Sequence, residues 1–516
     1  MIKRASLASR ITVVTLVWTA IIALEEPFER YICPRLPSWL TFICRLYPHL
    51  RGPGEWPPEW RWWLKYPVGE GGYRFDIAPW RFLVLLAVVS LFVAWWVWTK
   101  HKSRLNVVHL SMLAGLGLCF VLTIQFLSRN GVVLMTRMIS PYYEPTYFLP
   151  AAEIVDVRDF LITYPDCLQA MNCPTHHMNS HPPGNVLFMW IFYQIASALP
   201  DLVTEWLGPF LRAHTVAEWA VGLPDRTLIA AGFAGLAIPA VSVLTVIPLY
   251  YLGVETVGHS RARRVLILFL LVPAITMFAP RVDLVYTLLG VTGLWLAMVG
   301  FVRRSYLALS GAGALLSLAA FMSFATLPLV LMAALLGLGL AWQTHGVSKQ
   351  AAFTRLLPQF LVALGAAALV WIIFGTNPVQ IYKYISSNYW GIQSARSHMA
   401  WIFYGPYDLL LFVGVPVSVL LVRAVLRLCR RIWGSRALTT GEVWLASFVI
   451  STGILFVSGR LRGEVARTLL YFYPFLVLGS YVESEQSSER SFVLISSATL
   501  VQAVIYYYTL RVYHGG

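Results

Sequence analysis

The sequence predicts an all-α polytopic membrane protein, and three observations support this class. Hydrophobic residues make up 58% of the 516 residues and charged residues only 12%. Apolar stretches of about 20 residues, the length that crosses a bilayer, recur along most of the chain. Basic residues cluster between them, as at 100–104 and 261–264, which is typical of short cytoplasmic loops. The net charge of +15 therefore indicates orientation in a lipid bilayer and no nucleic-acid partner.

The N-terminus predicts a retained signal-anchor helix. Lys3, Arg4 and Arg10 surround the start of an apolar stretch that lacks a small-residue cleavage site, so we expect the N-terminus in the cytoplasm. Residues 1–104 should hold this helix, a Trp- and Pro-rich outer loop and a second helix. Residues 105–516 should form the transmembrane catalytic domain, with an outer loop at 128–225.

Hydropathy and loop charge together predict about thirteen spans. They lie at 11–24, 80–98, 106–127, 226–252, 263–280, 283–301, 305–323, 326–342, 357–375, 405–424, 441–459, 465–482 and 490–510. The apolar stretch 182–199 is not counted, because a span there would turn every later basic loop outward. We therefore predict a juxtamembrane or re-entrant helix at 182–199, followed by a surface segment at 200–225. Five segments then share the outer face: 25–79, 128–225, 281–283, 376–404 and 458–464.

The most polar long stretch, residues 141–190, lies within the outer loop. Its first half contains four acids, Glu144, Glu153, Asp156 and Asp159, and its second half contains three histidines, His176, His177 and His181. Ionisable groups beside or within a membrane are costly to retain and are functional-site candidates. The histidines with Cys173 do not follow a zinc spacing, so exposed loop histidines are the favoured interpretation. We predict no cofactor, and the sequence leaves a metal ion open.

Four of the six cysteines form two close pairs in polar segments, Cys33 with Cys44 and Cys167 with Cys173. In an oxidising compartment each pair can close a disulfide. The alternative is free thiols, and the sequence favours neither.

A sequence pattern in this stretch suggests a family. Glu144-Pro145-Thr146-Tyr147 is followed by His181-Pro182-Pro183-Gly184 and an apolar segment with Trp190. The pattern resembles the GT-C glycosyltransferases, and among them the protein O-mannosyltransferases and the lipid A aminoarabinose transferases. Their first outer loop begins with an acidic pair and ends in a Lys- or His-Pro-Pro motif. The order of predicted helices and loops is similar along most of the chain, but the residues themselves match only in short motifs.

The resemblance implies a GT-C-like helix bundle with a large extracytoplasmic catalytic loop, working without metal. It implies a polyprenyl-phosphate-sugar donor and roles in the site for Glu144, Tyr147 and His181. The family's acidic pair is Asp-Glu, and here Tyr143 takes the first position. We therefore expect the catalytic role of Glu144 or, failing that, of Glu153 or Asp156.

The residue types alone, apart from the resemblance, also support sugar transfer from a lipid phosphate. Inverting transfer from a lipid phosphate needs a carboxylate to accept the acceptor's proton and cations to hold the leaving phosphate. Glu144 is the candidate base, and its alternative is a helix cap or an ion pair. His181 precedes a predicted helix start, where it can bind phosphate or acceptor; its alternative is packing.

The expected phosphate-binding and substrate-binding residues lie at the mouths of later spans. They are Arg281, Asp283, Arg460, Arg462 and Arg467. Arginines on an outer face run against the inside bias of basic residues, and their forked guanidinium groups match phosphate geometry. The alternatives are snorkelling to lipid headgroups and pairing with Glu464.

We therefore predict a glycosyltransferase in a bacterial plasma membrane. It would move a sugar from a polyprenyl-phosphate carrier to a polysaccharide, lipid or protein acceptor on the extracytoplasmic side. The alternative is a polytopic transporter or lipid flippase, which would place charges on broken helices. The sequence shows such a break only near Ser323 and Pro328.

Overall fold

A computed structural model gives the fold. The structure describes residues 7–27, 63–64, 79–126, 137–139, 145–175, 177–214, 222–343, 349–394, 396–434, 437–482 and 488–511. Helices account for nearly all regular structure in these ranges. One pair of two-residue strands, β1 (Trp63–Leu64) and β2 (Leu510–Arg511), is antiparallel.

The first half of the chain contains the helices α1 (Leu7–Pro27), α2 (Pro79–Thr99), α3 (Val107–Phe126), α4 (Pro145–Ala151), α5 (Val157–Ala170), α6 (Gly184–Ser197), α7 (Asp201–Ala213), α8 (Asp225–Leu244), α9 (Val246–Val257), α10 (His259–Leu270) and α11 (Pro273–Met277). The second half contains α12 (Val285–Arg303), α13 (Tyr306–Met322), α14 (Leu327–Gln343), α15 (Lys349–Ile373), α16 (Pro378–Ser394), α17 (His398–Val413), α18 (Val415–Trp433), α19 (Thr440–Val457), α20 (Val465–Thr468), α21 (Tyr473–Gly479) and α22 (Glu489–Thr509). Short 3₁₀ turns lie at Met178–Ser180, Val282–Leu284, Phe324–Thr326 and Leu470–Phe472.

Eight helical segments in the described residues are long and apolar enough to cross a membrane. They are Trp80–Thr99, Val107–Phe126, Asp225–Val257, Val282–Arg303, Phe324–Gln343, Leu356–Ile373, Thr440–Val457 and Glu489–Tyr507. The predicted class, an all-helical membrane protein, is confirmed. Thirteen spans and a GT-C bundle are not confirmed.

Several predicted spans are interrupted rather than continuous. The stretch 263–280 is divided between α10 and α11, where Pro273 starts the second helix. The stretch 405–424 is divided at Gly414, whose φ of 97° ends α17. The stretch 465–482 is divided into α20, a 3₁₀ turn and α21. Proline removes a backbone donor and a positive φ ends the helical path, so apolar composition alone overestimates continuity.

The stretch 182–199 does not continue as one straight helix. Helix α6 ends at Ser197, and α7 starts at Asp201 with its axis bent by 119°. The geometry is that of a broken span or a re-entrant loop. Helix α7 occupies the predicted surface segment and packs on α8 through the ion pair between Arg212 and Asp225, 2.6 Å apart.

The continuous helices pack closely through small residues. Helix α13 contacts both α12 and α15. At Gly313 an added Cβ would overlap the carbonyl oxygen of Ala363 in α15. One turn further on, the Ser317 hydroxyl donates a 2.8 Å hydrogen bond to the Ala367 carbonyl. Backbones approach this closely only where side chains are small, as is common between membrane helices.

Candidate functional site

The candidate site lies where four helix interruptions come together. We call this region the junction and define it as residues 177–186, 281–286, 321–326 and 458–473. The Tyr286 hydroxyl donates to the Asn185 side chain over 2.8 Å, and the Tyr471 hydroxyl donates to the Ala325 carbonyl. A Cβ at Gly184 would lie 2.5 Å from the Phe321 carbonyl oxygen. The breaks are therefore held together by tertiary contacts, and predicted site residues from distant parts of the sequence become neighbours.

Three rings form the centre of the junction. The ring of Tyr147, on α4, lies edge-on to the rings of His177 and His181, with centroids 6.0 Å and 5.6 Å away. The two histidine rings stack with centroids 6.2 Å apart. Tyr147 is buried, whereas both histidines are half-buried. The predicted motif pair, Tyr147 and His181, is thus brought into contact.

Hydrogen bonds fix the orientation and tautomer of His181. Its Nδ1 lies 3.0 Å from the His177 carbonyl oxygen and 3.1 Å from the Ser180 hydroxyl. A carbonyl oxygen only accepts, so Nδ1 carries the proton in the neutral ring and Nε2 presents a lone pair. Among the described residues Nε2 makes no hydrogen bond. The buried Tyr164 hydroxyl donates to the carbonyls of Met178 and His181, at 3.1 Å and 2.8 Å, which holds the backbone beneath the ring.

The surroundings of His181 keep the ring neutral. Burial lowers the pKa of His181 to about 4, and the nearby Arg467 guanidinium acts in the same direction, while Glu464 opposes it. A neutral imidazole with a free lone pair can accept a hydrogen bond or a proton. It cannot supply positive charge to a phosphate.

The Glu464–Arg467 ion pair supplies the charges beside His181. The carboxylate and guanidinium are 2.7 Å apart across one turn of α20, and both side chains are largely shielded from solvent. Tyr389, on α16, faces the same pair: burial raises its pKa to about 12, with Arg396 opposing and Glu464 reinforcing the shift. The predicted alternative for the arginines, pairing with Glu464, is therefore confirmed for Arg467.

Helix α16 covers one side of the junction and is anchored to a disulfide loop. The Asn388 amide donates to the carbonyls of Leu168 and Asn179 at 3.0 Å and 2.9 Å. Cys167 and Cys173 form a disulfide, which closes the turn after α5. The open choice between disulfide and free thiols is thus decided for this pair. Cys33 and Cys44 lie outside the described residues.

Arg460 and Arg462 have different environments although both were predicted to bind phosphate. The Arg462 guanidinium is buried and donates to the carbonyls of Gly459, Gln393 and Arg396 at 2.8–3.1 Å. The Arg460 guanidinium is exposed and donates to the Ser386 hydroxyl over 2.9 Å. These contacts make Arg462 a brace between α16 and the 458–464 segment and leave Arg460 at the surface. A phosphate role for either remains a prediction.

Arg281 and Asp283 lie in the junction segment that leads into α12. Arg281 is buried and precedes the 3₁₀ turn that starts α12, and Asp283 is half-buried within that turn. Asp283 interacts electrostatically with the buried Tyr471. The two predicted residues are therefore part of the junction, near the interrupted 465–479 segment.

The predicted catalytic acids are only partly described. Glu144 lies outside the described residues and immediately precedes α4 in the sequence. Asp156 is exposed, and its carboxylate caps α5 by accepting from the backbone N–H groups of Arg158 and Asp159. Glu153 is exposed on the turn before it. Neither Glu153 nor Asp156 is shown in contact with His181 or Arg467, and their catalytic role stays a prediction.

The start of α6 is a helix start, as predicted, but it is buried against protein. Pro183 occupies the cap position, and Pro182 and Gly184 are buried with it. The close approach of Phe321 fills the space next to Gly184. This packing favours the interpretation that the prolines set the helix direction.

The histidine cluster shows no metal-binding arrangement within the described ranges. No group of three or more His, Cys, Asp or Glu side chains there could hold a metal ion. The disulfide also removes Cys173 as a thiolate ligand. His176 lies outside the described residues.

Several residues of the site were not selected from the sequence. Tyr164 and Tyr471 are aromatic residues in aromatic-rich stretches, and the composition of those stretches resembles that of an ordinary core. Their roles depend on contacts with residues far away in the chain. Glu464 could be found only as a charge partner for the neighbouring arginines.

No family model, no curated protein and no solved structure matches this chain. Fold and composition therefore define the class: an all-helical membrane protein with a polar junction of broken helices at its candidate site. The resemblance to GT-C enzymes stays a prediction.

Proposed function

We propose that this protein is a membrane glycosyltransferase that moves a sugar from a polyprenyl-phosphate-linked donor to an acceptor on the extracytoplasmic face. One observation carries the proposal. A neutral histidine with an available Nε2 lies next to the Glu464–Arg467 ion pair, in a junction formed by broken apolar helices. Transfer from a lipid phosphate needs a group that orients the acceptor, a base and a cation for the leaving phosphate. His181 and Arg467 would supply the first and the last of these.

The transfer forms one bond and breaks one bond. The acceptor oxygen or nitrogen attacks the anomeric carbon, its proton passes to a base, and the polyprenyl phosphate leaves with the bonding electron pair. Glu144 is the proposed base; it directly precedes α4, whose Tyr147 contacts His181. Glu153 and Asp156 are the alternatives. Neutral His181 would orient the acceptor by accepting a hydrogen bond.

Cations of the junction would stabilise the leaving phosphate. Arg467 is the strongest candidate, since it lies beside His181 and is largely shielded from solvent, and it would bind the phosphate next to its ion-pair partner Glu464. Arg460 is exposed and could contact the phosphate from solvent. Buried Arg281 would act together with Asp283. Arg462 would contribute by holding the 458–464 segment in place.

The disulfide supports the side of the membrane on which this chemistry is proposed. Disulfides persist in oxidising compartments and are rare in the cytosol. The Cys167–Cys173 bond lies in the loop between Tyr147 and His181. An extracytoplasmic site, as in a bacterial plasma membrane, agrees with this.

One observation favours the alternative, a transporter or lipid flippase. Transporters bind their cargo at discontinuous helices, where charges are retained within the membrane domain. Here α10 and α11, as well as α20 and α21, are interrupted, and Arg281 is buried near one break.

The two functions are separated by an assay in proteoliposomes. Purified protein would receive a panel of polyprenyl-phosphate sugars, with and without acceptors, and free polyprenyl phosphate would be measured. We expect release by the wild type and loss by at least about 100-fold in Glu144→Gln, because general base catalysis contributes that much. Asp159→Asn, an exposed acid of the same loop, is the matched control and should retain activity.

Each other outcome changes the assignment. Release that survives Glu144→Gln moves the base to Glu153 or Asp156. Absence of release from every donor, combined with movement of sugar or lipid across the bilayer, replaces the transferase with a transporter.

A further inference from the structure

Helix α16 presents a row of aromatic and polar side chains on the face opposite its anchor. Tyr382, Ser386 and Trp390 are spaced by four residues and therefore lie on one side of the helix, over a length of about 12 Å. Tyr382 is 43% exposed and Trp390 is 48% exposed. The anchoring side chains Tyr384 and Asn388 lie on the other side, bonded to the disulfide loop. The row is thus held in place from its far side, and its two rings stay partly exposed. Each ring also contacts protein: Trp390 lies 5.3 Å from the Arg462 guanidinium, and Tyr382 lies edge-on to Phe324, with ring centroids 5.3 Å apart.

Cations line this row. The Arg460 guanidinium lies 5.4 Å from the centre of the Trp390 ring and is bonded to Ser386. Lys383 is exposed and lies one helical repeat before Trp390, on the same side. The positive charge of both side chains favours an anionic ligand on this row.

The cations beside the row differ in their partners from other basic side chains in the described parts of the chain. None of Lys383, Arg396, Arg460 and Arg462 forms an ion pair with a carboxylate in the described parts of the chain. Elsewhere basic side chains do so: Arg431 pairs with Glu442 at 2.7 Å, and Arg303 pairs with Glu255 at 3.0 Å. Glu464, which acts electrostatically on Tyr389 of the same helix, forms its ion pair with Arg467. A concentration of unmatched charge attracts and orients anions.

We propose that the row formed by Tyr382, Lys383, Ser386, Trp390 and Arg460 is a binding site for an acidic oligosaccharide. The indole and phenol faces would stack on the apolar faces of sugar rings, and Lys383 and Arg460 would bind carboxylate or phosphate substituents. The polar neighbours Ser387 and Ser394 are exposed, which suits a hydrated glycan better than lipid tails. If the protein is the proposed transferase, this oligosaccharide is the acceptor of the sugar. Only the acceptor role rests on the proposed function; binding of the oligosaccharide does not.

Binding can be measured without turnover. Protein in nanodiscs of phosphatidylcholine would be titrated calorimetrically with oligogalacturonate and with a neutral maltooligosaccharide of equal length. We expect the acidic probe to bind at low salt, more weakly as salt screens the charges, and the neutral probe to bind at least about fivefold more weakly, since one partly exposed ion pair contributes about 1 kcal/mol.

Variants locate the site. Trp390→Ala should weaken oligogalacturonate binding about tenfold and Arg460→Gln about fivefold. Lys383→Gln should weaken it about threefold; this side chain makes no described contact, so its replacement leaves the fold intact. The matched controls Trp433→Ala and Arg430→Gln remove an exposed tryptophan and arginine at the far end of α18 and should bind as wild type does.

Other results overturn the proposal. They are equal affinity for both probes, unchanged affinity in Trp390→Ala and Lys383→Gln, or no binding at all. Enrichment of phosphatidylglycerol around the protein that Lys383→Gln and Arg460→Gln abolish, without glycan binding, would assign the row to anionic lipid headgroups. Sugar release without glycan binding would leave the transferase standing, and binding without release would leave the glycan site standing.

Discussion

The α12–α13–α15 bundle and the junction satisfy the hydrogen bonds of their backbone groups in different ways. In the bundle each helix is continuous, so its backbone donors and acceptors are satisfied internally, as a bilayer requires. In the junction the helices are broken, and side chains bind the released backbone groups: Arg462 binds three carbonyls and Tyr471 binds one. A continuous helix therefore needs few polar side chains, whereas a broken helix needs several of them close to the break. That concentration is what makes the junction the candidate site.

The largest loss of stability is expected when Arg462, the brace of the junction, is replaced. Arg462→Met should lower the free energy of unfolding by about 3–5 kcal/mol, because three carbonyls lose a charged donor in a buried position. Chemical denaturation of the purified protein in detergent measures this loss. Arg460→Met, which removes one exposed hydrogen bond from the same segment, should cost about 1 kcal/mol or less. Equal losses would contradict the distinction between the two arginines.

The next test disturbs the continuous helices instead. Gly313→Val should destabilise the protein by about 2–3 kcal/mol, since its side chain would overlap the backbone of Ala363 and force α13 and α15 apart. Gly365→Ala is the matched control on α15, where an added Cβ meets no atom within 4 Å. It should be neutral or stabilise by up to about 1 kcal/mol. Thermal unfolding of both variants decides whether close packing holds this bundle together.

The disulfide offers a smaller and local perturbation. Replacing Cys167 and Cys173 together by serine should cost about 2 kcal/mol, the loop-closure contribution for so short a loop. Hydrogen exchange should rise first in α16, because Asn388 bonds to the loop that the disulfide closes. Cys119→Ser changes an exposed free thiol and should leave the exchange of α16 unchanged. Faster exchange spread evenly over the molecule would argue against a local role.

The smallest expected effect is the pH dependence contributed by His181. Its pKa is about 4 in the folded protein and 6.5 in an exposed chain, so the unfolded state binds the proton more tightly between these values. The stability contributed by the neutral ring is fully present above pH 6.5 and is lost as the pH falls toward 4, by on the order of 1 kcal/mol.

His181→Gln should flatten this part of the stability profile, measured by denaturation from pH 7 to pH 4. His214→Gln, at an exposed position, serves as the control. A profile unchanged by His181→Gln would mean that the pKa of the ring is the same in the folded and unfolded states. The folded ring would then be protonated below its ordinary pKa of 6.5 and could bind phosphate directly there.

Many residues of the candidate site could be selected from the sequence, but the environment of each side chain could not. The His181-Pro182-Pro183 motif predicted a helix start, and α6 begins at Gly184. The outer segments 128–225, 376–404 and 458–464 were expected to share a face, and their described parts do meet at the junction. The sequence did not separate Arg460 from Arg462, because both occupy the same short polar segment. Only the direction of each side chain, into the protein or into solvent, distinguishes a brace from a surface cation.

The sequence by itself determined the class of this protein, since hydropathy is a sum over neighbouring residues and a bilayer selects for that sum. It also determined which segments are polar, and it left the choice between disulfides and free thiols open. The tertiary structure alone decided where apolar stretches break and which residues meet there. Contacts such as those of Tyr164 with His181 and of Arg462 with Gln393 depend on how whole helices pack, and no local pattern encodes that packing.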